Sequence, residues 1–113
     1  MDAKFRALVR RRASSRCEYC HIPEHALDLP FHLEHIVANI HQLDDRTENL
    51  AWACPRCNFK KGPNLVTIDH ETGQRVALFD PRTMAWNEHF AVSRDGRIFG
   101  TTPCGRGTVD YWI

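Results

Sequence analysis

The sequence predicts an α+β fold: a strand–loop–strand–helix unit stapled by four cysteines, with a basic helix before it and a β-hairpin extension after it. Three observations carry this expectation. Cys17-x-x-Cys20 and Cys54-x-x-Cys57 are paired-thiol units roughly thirty residues apart, and without an export signal such pairs read as one metal site rather than as disulfides. The segment between them alternates apolar and polar residues and then turns irregular. Beyond them, Arg94-Asp95-Gly96 separates two short apolar runs, a hairpin signal. One domain is expected over residues 1–113, with the core motif at 17–62 and the extension at 63–113. A core this small gains from a staple.

Taken in order, residues 2–15 read as a helix with Phe5, Leu8 and Val9 at helical spacing. Pro23, Asp28 and Pro30 mark an irregular connection with a short helical turn around Glu24 to Leu27. Phe31 to Ala38 reads as a strand whose Phe31, Leu33 and Val37 share one face. The polar stretch Asn39 to Glu48 is a loop, and Asn49 to Ala53 a second strand. Pro55 suits the first turn of a helix that Gly62 closes. Glu71-Thr72-Gly73 and Asp80-Pro81 are turns. Phe90 to Ser93 and Arg97 to Thr101 form the hairpin. Pro103 to Val109 reads as a terminal helix weakened by Gly105 and Gly107.

The net charge is +1, which is neutral on the question of nucleic acid, but the basic residues are clustered. Arg10, Arg11 and Arg12 sit in a basic N-terminal run, and Arg56, Lys60 and Lys61 surround the last cysteine pair. Both clusters suit phosphate contacts, with a solvated helix face as the alternative for the first. No apolar run approaches the ~20 residues that span a membrane, so the expected location is cytoplasmic.

Structural zinc takes four thiolate or imidazole ligands in a closed tetrahedron, and Cys17, Cys20, Cys54 and Cys57 supply four thiolates. Redox-active pairs are the rival, but no thioredoxin-like βαβ pattern accompanies them. Cys104 stands apart as a plain, at least partly buried thiol. Glu34-His35 lies in the first strand, Asn49 before the second, and Asn58 directly after Cys57. A carboxylate and a carboxamide offer hard oxygens suited to Mg²⁺ or Mn²⁺. A neighbouring imidazole can take a proton from water. Phosphodiester hydrolysis needs both. Neighbours in a regular strand face opposite ways, so Glu34 and His35 share a site only where the strand ends or distorts.

Together, Cys17-x-x-Cys20, Leu33-Glu34-His35-Ile36, Glu48-Asn49-Leu50, Cys54-Pro55-Arg56-Cys57-Asn58 and Lys61-Gly62 resemble the HNH endonucleases, also called ββα-metal or His-Me finger nucleases. The resemblance spans residues 17–62 and implies a ββα-metal unit with a catalytic divalent metal on Glu34 and Asn58. It makes His35 the general base and Asn49 the residue that fixes the inter-strand loop. Asn58 stands where the family name has its last histidine, and Glu34 where aspartate is commoner; both keep an oxygen. The tail, with its Thr102-Pro103-x-Gly105-Arg106-x-Thr108 pattern, resembles an extension in one bacterial subset, and capping of the small core is its expected role.

The function expected is metal-dependent cleavage of DNA, with RNA also open, using structural Zn²⁺ and catalytic Mg²⁺ or Mn²⁺. The alternative is a non-catalytic, zinc-stabilised nucleic-acid-binding module. His41, in the loop, is a candidate to approach the phosphate; His21, His25 and His70 read as surface residues, and His89 as packing beside Trp86 and Phe90.

Overall fold

The N-terminal helix is shorter than its composition suggested. In the computed structural model, which describes residues 3–113, helix α1 runs Ala3–Arg12. Asp2, expected within it, lies outside the described residues. The helix stops because Ser14 and Ser15 take left-handed φ values of 57° and 55°. Their N–H groups then bond back to Arg11 and Arg10 at 3.0 and 3.1 Å, closing the helix end in a Schellman arrangement. Val9 is fully buried, whereas Phe5 and Leu8 remain largely exposed. The chain divides into two compact units, Met1–Pro63 and Asn64–Ile113.

In the first unit, α1 is held by its arginines. Arg6 donates to Phe31 O at 3.0 Å and lies over the Trp52 ring at 4.8 Å. Arg10 pairs with Glu24 at 2.9 Å, and Glu24 also accepts from Trp52 Nε1 at 2.5 Å. The short turn expected there is a 3₁₀ turn at Glu24–Ala26. Strand β1 (His32–His35) pairs antiparallel with β2 (Leu50–Ala53), with Glu34 opposite Ala51 and His35 opposite Leu50.

The first strand is thus half the expected length, and its buried residues are Phe31, Glu34 and Ile36 rather than Phe31, Leu33 and Val37. The cause is local. Ile36 N still bonds Asn49 O at 2.8 Å, but Asn49's own side chain then takes Val37, so the ladder gives way. All of β2 is buried. Helix α2 (Pro55–Lys61) follows, capped by Cys54 and closed at Gly62 as expected.

The second unit contains two hairpins where one was expected. Strands β3 (Val66–Asp69) and β4 (Gln74–Ala77) pair across the Glu71-Thr72-Gly73 turn. A one-turn helix α3 (Trp86–His89), not foreseen, leads into β5 (Phe90–Val92), which pairs with β6 (Ile98–Gly100). Helix α4 (Pro103–Tyr111) starts at the Thr102 N-cap and runs two residues beyond Val109. Its glycines, which argued against a helix, are what lets it pack. A Cβ on Gly105 would lie 1.9 Å from His89 O, and one on Gly107 would lie 2.7 Å from the Thr67 side chain. Phe79 and Phe90 meet edge to face at 5.1 Å, and Leu78 and Trp112 are buried in the same unit. The architecture is α+β.

Candidate metal centre and the adjoining polar site

Two tight knuckles bring the four cysteines to one point. In the first, Cys20 N lies 3.5 Å from Cys17 Sγ, and His21, at φ 67°, turns the chain so that its N–H reaches Cys17 O at 2.9 Å. In the second, the helix start does the same work: Cys57 N lies 3.4 Å from Cys54 Sγ. All four sulfurs fall within 4.8 Å of one another, with Cys20 and Cys54 3.8 Å apart. A tetrahedron with zinc–sulfur arms of about 2.3 Å has edges of about 3.8 Å, so the set fits a closed metal site. Hydrogen bonding to Cys20 and Cys54 pushes the Cys17 thiol up, and bonding to Cys17, Cys20 and Cys54 does the same to Cys57. Cys54 is held low by the bonds it accepts from its neighbours. Four sulfurs this close cannot all carry charge unless a cation joins them. Cys104 lies in the second unit, 3.8 Å from Met84 Sδ.

Glu34, on β1, is 8% exposed. Its Oε1 accepts from Tyr19 OH, and its Oε2 is 3.6 Å from Lys61 Nζ. Lys61 is itself only 2% exposed and donates to Ile36 O at 2.7 Å. Burial raises the Glu34 carboxyl above the ordinary range, and Lys61 and Tyr19 pull it part of the way back. This corrects the reading of Lys61 as a phosphate contact: its ammonium is turned inward, because a buried carboxylate and an open strand-end carbonyl compete for it there.

His35, the last residue of β1, is partly exposed, and its Nε2 lies 2.7 Å from Asp45 Oδ1. A carboxylate accepts, so Nε2 is the donor in this bond, and in the neutral imidazole Nδ1 is the acceptor. Glu34 and His35 therefore have separate partners, as strand alternation requires. Asn49 is buried and clamps the loop that carries Asp45: it accepts from Val37 N at 2.9 Å and donates to Val37 O at 3.1 Å and Asp44 O at 2.9 Å. Asp44, bonded by Arg46, is held down at about 2. Asn58 is half-buried on the first turn and a half of α2, its N–H on Cys54 O at 3.0 Å. His41 reaches from the loop to Pro63 O at 2.8 Å.

The basic residues divide. Arg12 donates to the carbonyls of Thr47 and Leu50 at 3.0 and 2.8 Å, and Arg10 is paired with Glu24, so both brace α1. Arg11, Arg56 and Lys60 are exposed. Sequence reasoning missed Asp45, Tyr19 and the inward turn of Lys61. The consecutive Asp44-Asp45, in a loop that must return to the strand end, was the available signal for the first; nothing local marked the other two.

Residues 17–64 match the family model described as HNH endonuclease. No curated protein and no solved structure matches the chain. Among the described residues, no helix is long and apolar enough to cross a membrane.

Proposed function

We propose, from the match of residues 17–64 to the HNH endonuclease family model, that the protein hydrolyses phosphodiester bonds in DNA. The observation that carries the proposal is the held imidazole: His35 at the end of β1, its Nε2 on Asp45 and its loop clamped by Asn49. In this reading His35 Nδ1 takes a proton from water as the water oxygen attacks phosphorus, and the P–O bond to the leaving oxygen breaks. Asn49 keeps the imidazole in register by fixing the loop. Glu34 and Asn58 would hold a divalent cation, Mg²⁺ or Mn²⁺, because their hard oxygens fit it. Such a cation, when bound, supplies neutralisation of the charge that develops on the phosphate. The four cysteines would hold a structural zinc, and none of them serves as a ligand of the catalytic cation.

A supercoiled-plasmid nicking assay with Mg²⁺, Mn²⁺ or EDTA tests this. The parent should nick with a divalent metal, and His35→Ala should lose about 10²–10⁴ in rate while keeping its zinc and its DNA affinity. If the parent binds DNA yet nicks under none of these conditions, the protein is the non-catalytic binding module instead.

A further inference from the structure

Arg56, Phe59 and Lys60 stand at i, i+3 and i+4 on α2, which places them on one face of the helix. Phe59 is 84% exposed. With Ile40 at 79% and Leu43 at 87%, it makes up the three most exposed large apolar side chains among the described residues, and all three fall in the matched segment. The loop bearing Ile40 and Leu43 is tied to the end of α2 by the His41–Pro63 bond. Single exposed apolar residues are ordinary; three this exposed, on one helix and the loop bonded just beyond its end, are not.

Charge says what would cover this face. Arg10, Arg12 and Lys61 are engaged within the first unit, whereas Arg56 and Lys60 are exposed and, among the described residues, paired with no carboxylate. An aromatic ring set between two uncompensated cations complements a nucleotide, whose base has an apolar face and whose phosphates carry the opposite charge. An apolar protein partner would leave both cations unmatched.

We propose that Phe59 is a base-stacking platform, with Arg56 and Lys60 gripping the adjoining phosphates, so that the preferred substrate is DNA with unpaired or easily unstacked bases rather than uniform duplex. The preference follows from the ring itself: it gains a partner only when a base leaves the helical stack, and an unpaired base leaves at least cost. The proposal rests on the nuclease reading for its DNA partner.

Binding of the zinc-loaded chain to a labelled duplex, and to the same duplex with a short unpaired bulge, tests it in the absence of Mg²⁺ and Mn²⁺. The parent should favour the bulged DNA. Phe59→Ala should weaken that binding about 5- to 150-fold, the range of one lost base–aromatic stack, with the salt dependence unchanged, and Phe59→Trp should restore it. Arg56→Gln with Lys60→Gln should instead flatten the salt dependence. A 2-aminopurine in the bulge should be quenched by the parent and not by Phe59→Ala. Equal binding of both DNAs by parent and Phe59→Ala overturns the proposal, as does an unchanged DNA affinity in a Phe59→Ala variant that loses self-association, which would assign the face to a second copy of the chain. If stacking depends on Phe59 but the parent never nicks, the nuclease reading alone fails; if the parent nicks and bulge binding ignores Phe59, the stacking proposal alone fails.

Discussion

Among the described residues, each unit of the molecule buries one carboxylate against one cation, and the two carboxylates shift in opposite directions. In the Met1–Pro63 unit, Glu34 has Tyr19 OH and a lysine 3.6 Å away whose closer partner is Ile36 O. In the Asn64–Ile113 unit, Asp69 takes both arms of Arg106, at 3.1 and 2.9 Å, with the Thr72 hydroxyl at 2.8 Å and the Glu71 N–H at 3.3 Å. Burial therefore dominates Glu34 and raises it, whereas the Arg106 fork dominates Asp69 and holds it well below the usual carboxylate range. A carboxylate with its lone pairs filled by a bidentate guanidinium tolerates burial, and one facing a shared ammonium does not. The contrast extends to the units themselves: the first leans on a metal site, the second on hairpins clasped by Arg106 and by close helix packing.

The strongest way to break the comparison is to remove the metal. Chelation, or Cys54→Ser, should cost the first unit a folding contribution on the order of 10 kcal/mol. Hydrogen exchange should then show protection lost over residues 17–62 and retained in β3, β4 and α4. Equal loss in both units would mean that the staple serves the whole chain. Next, Lys61→Met leaves Glu34 buried without its cation and should destabilise by about 3–5 kcal/mol in urea unfolding. Adding Glu34→Gln should recover much of that, because the stranded charge is gone; a single variant as stable as the parent would show that Glu34 does not need Lys61.

A smaller effect belongs to the second unit. Thr102 caps α4 by accepting from Gly105 N at 3.0 Å, so Thr102→Ala should cost about 1 kcal/mol and lower the melting temperature without changing zinc content. The smallest effect sharpens the carboxylate contrast through pH. Glu34's folded value is raised, so its contribution is present below the ordinary carboxylate range and is lost as pH rises through that raised value. Asp69's is depressed, so its contribution is present above the ordinary range and is lost as pH falls toward the depressed value. Relative to Glu34→Gln, the parent should lose stability as pH rises; relative to Asp69→Asn, it should lose stability as pH falls. Comparing each variant with its parent separates these carboxylates from protonation of the four clustered cysteines. Shifts of the same sign would remove the distinction.

What was legible in the sequence was local. Two CxxC spacings set two knuckles, Pro55 and Gly62 bound α2, and the glycines at 73 and 96, with φ of 75° and 85°, mark the two hairpin turns. Each depends on residues within a few positions of one another, so spacing and backbone preference suffice. The helix end at Arg12 escaped because serine, not glycine, takes the left-handed positions there.

The tertiary structure alone decided the partner of each charge. Lys60 and Lys61 are adjacent and alike in sequence, yet one is exposed and the other is 2% exposed beneath Ile36 and Glu34. Helical phase separates them by about 100°, and only the packing of α2 against β1 says which direction is inward. Asp45 meets His35, and Arg106 meets Asp69, across gaps of 10 and 37 residues. Gly105 and Gly107 looked like helix breakers, yet the His89 backbone and the Thr67 and Val76 side chains stand where their side chains would be. The reason is common to all of these: a residue's own preferences are fixed along the chain, whereas burial and charge pairing belong to whichever distant segment the fold brings beside it.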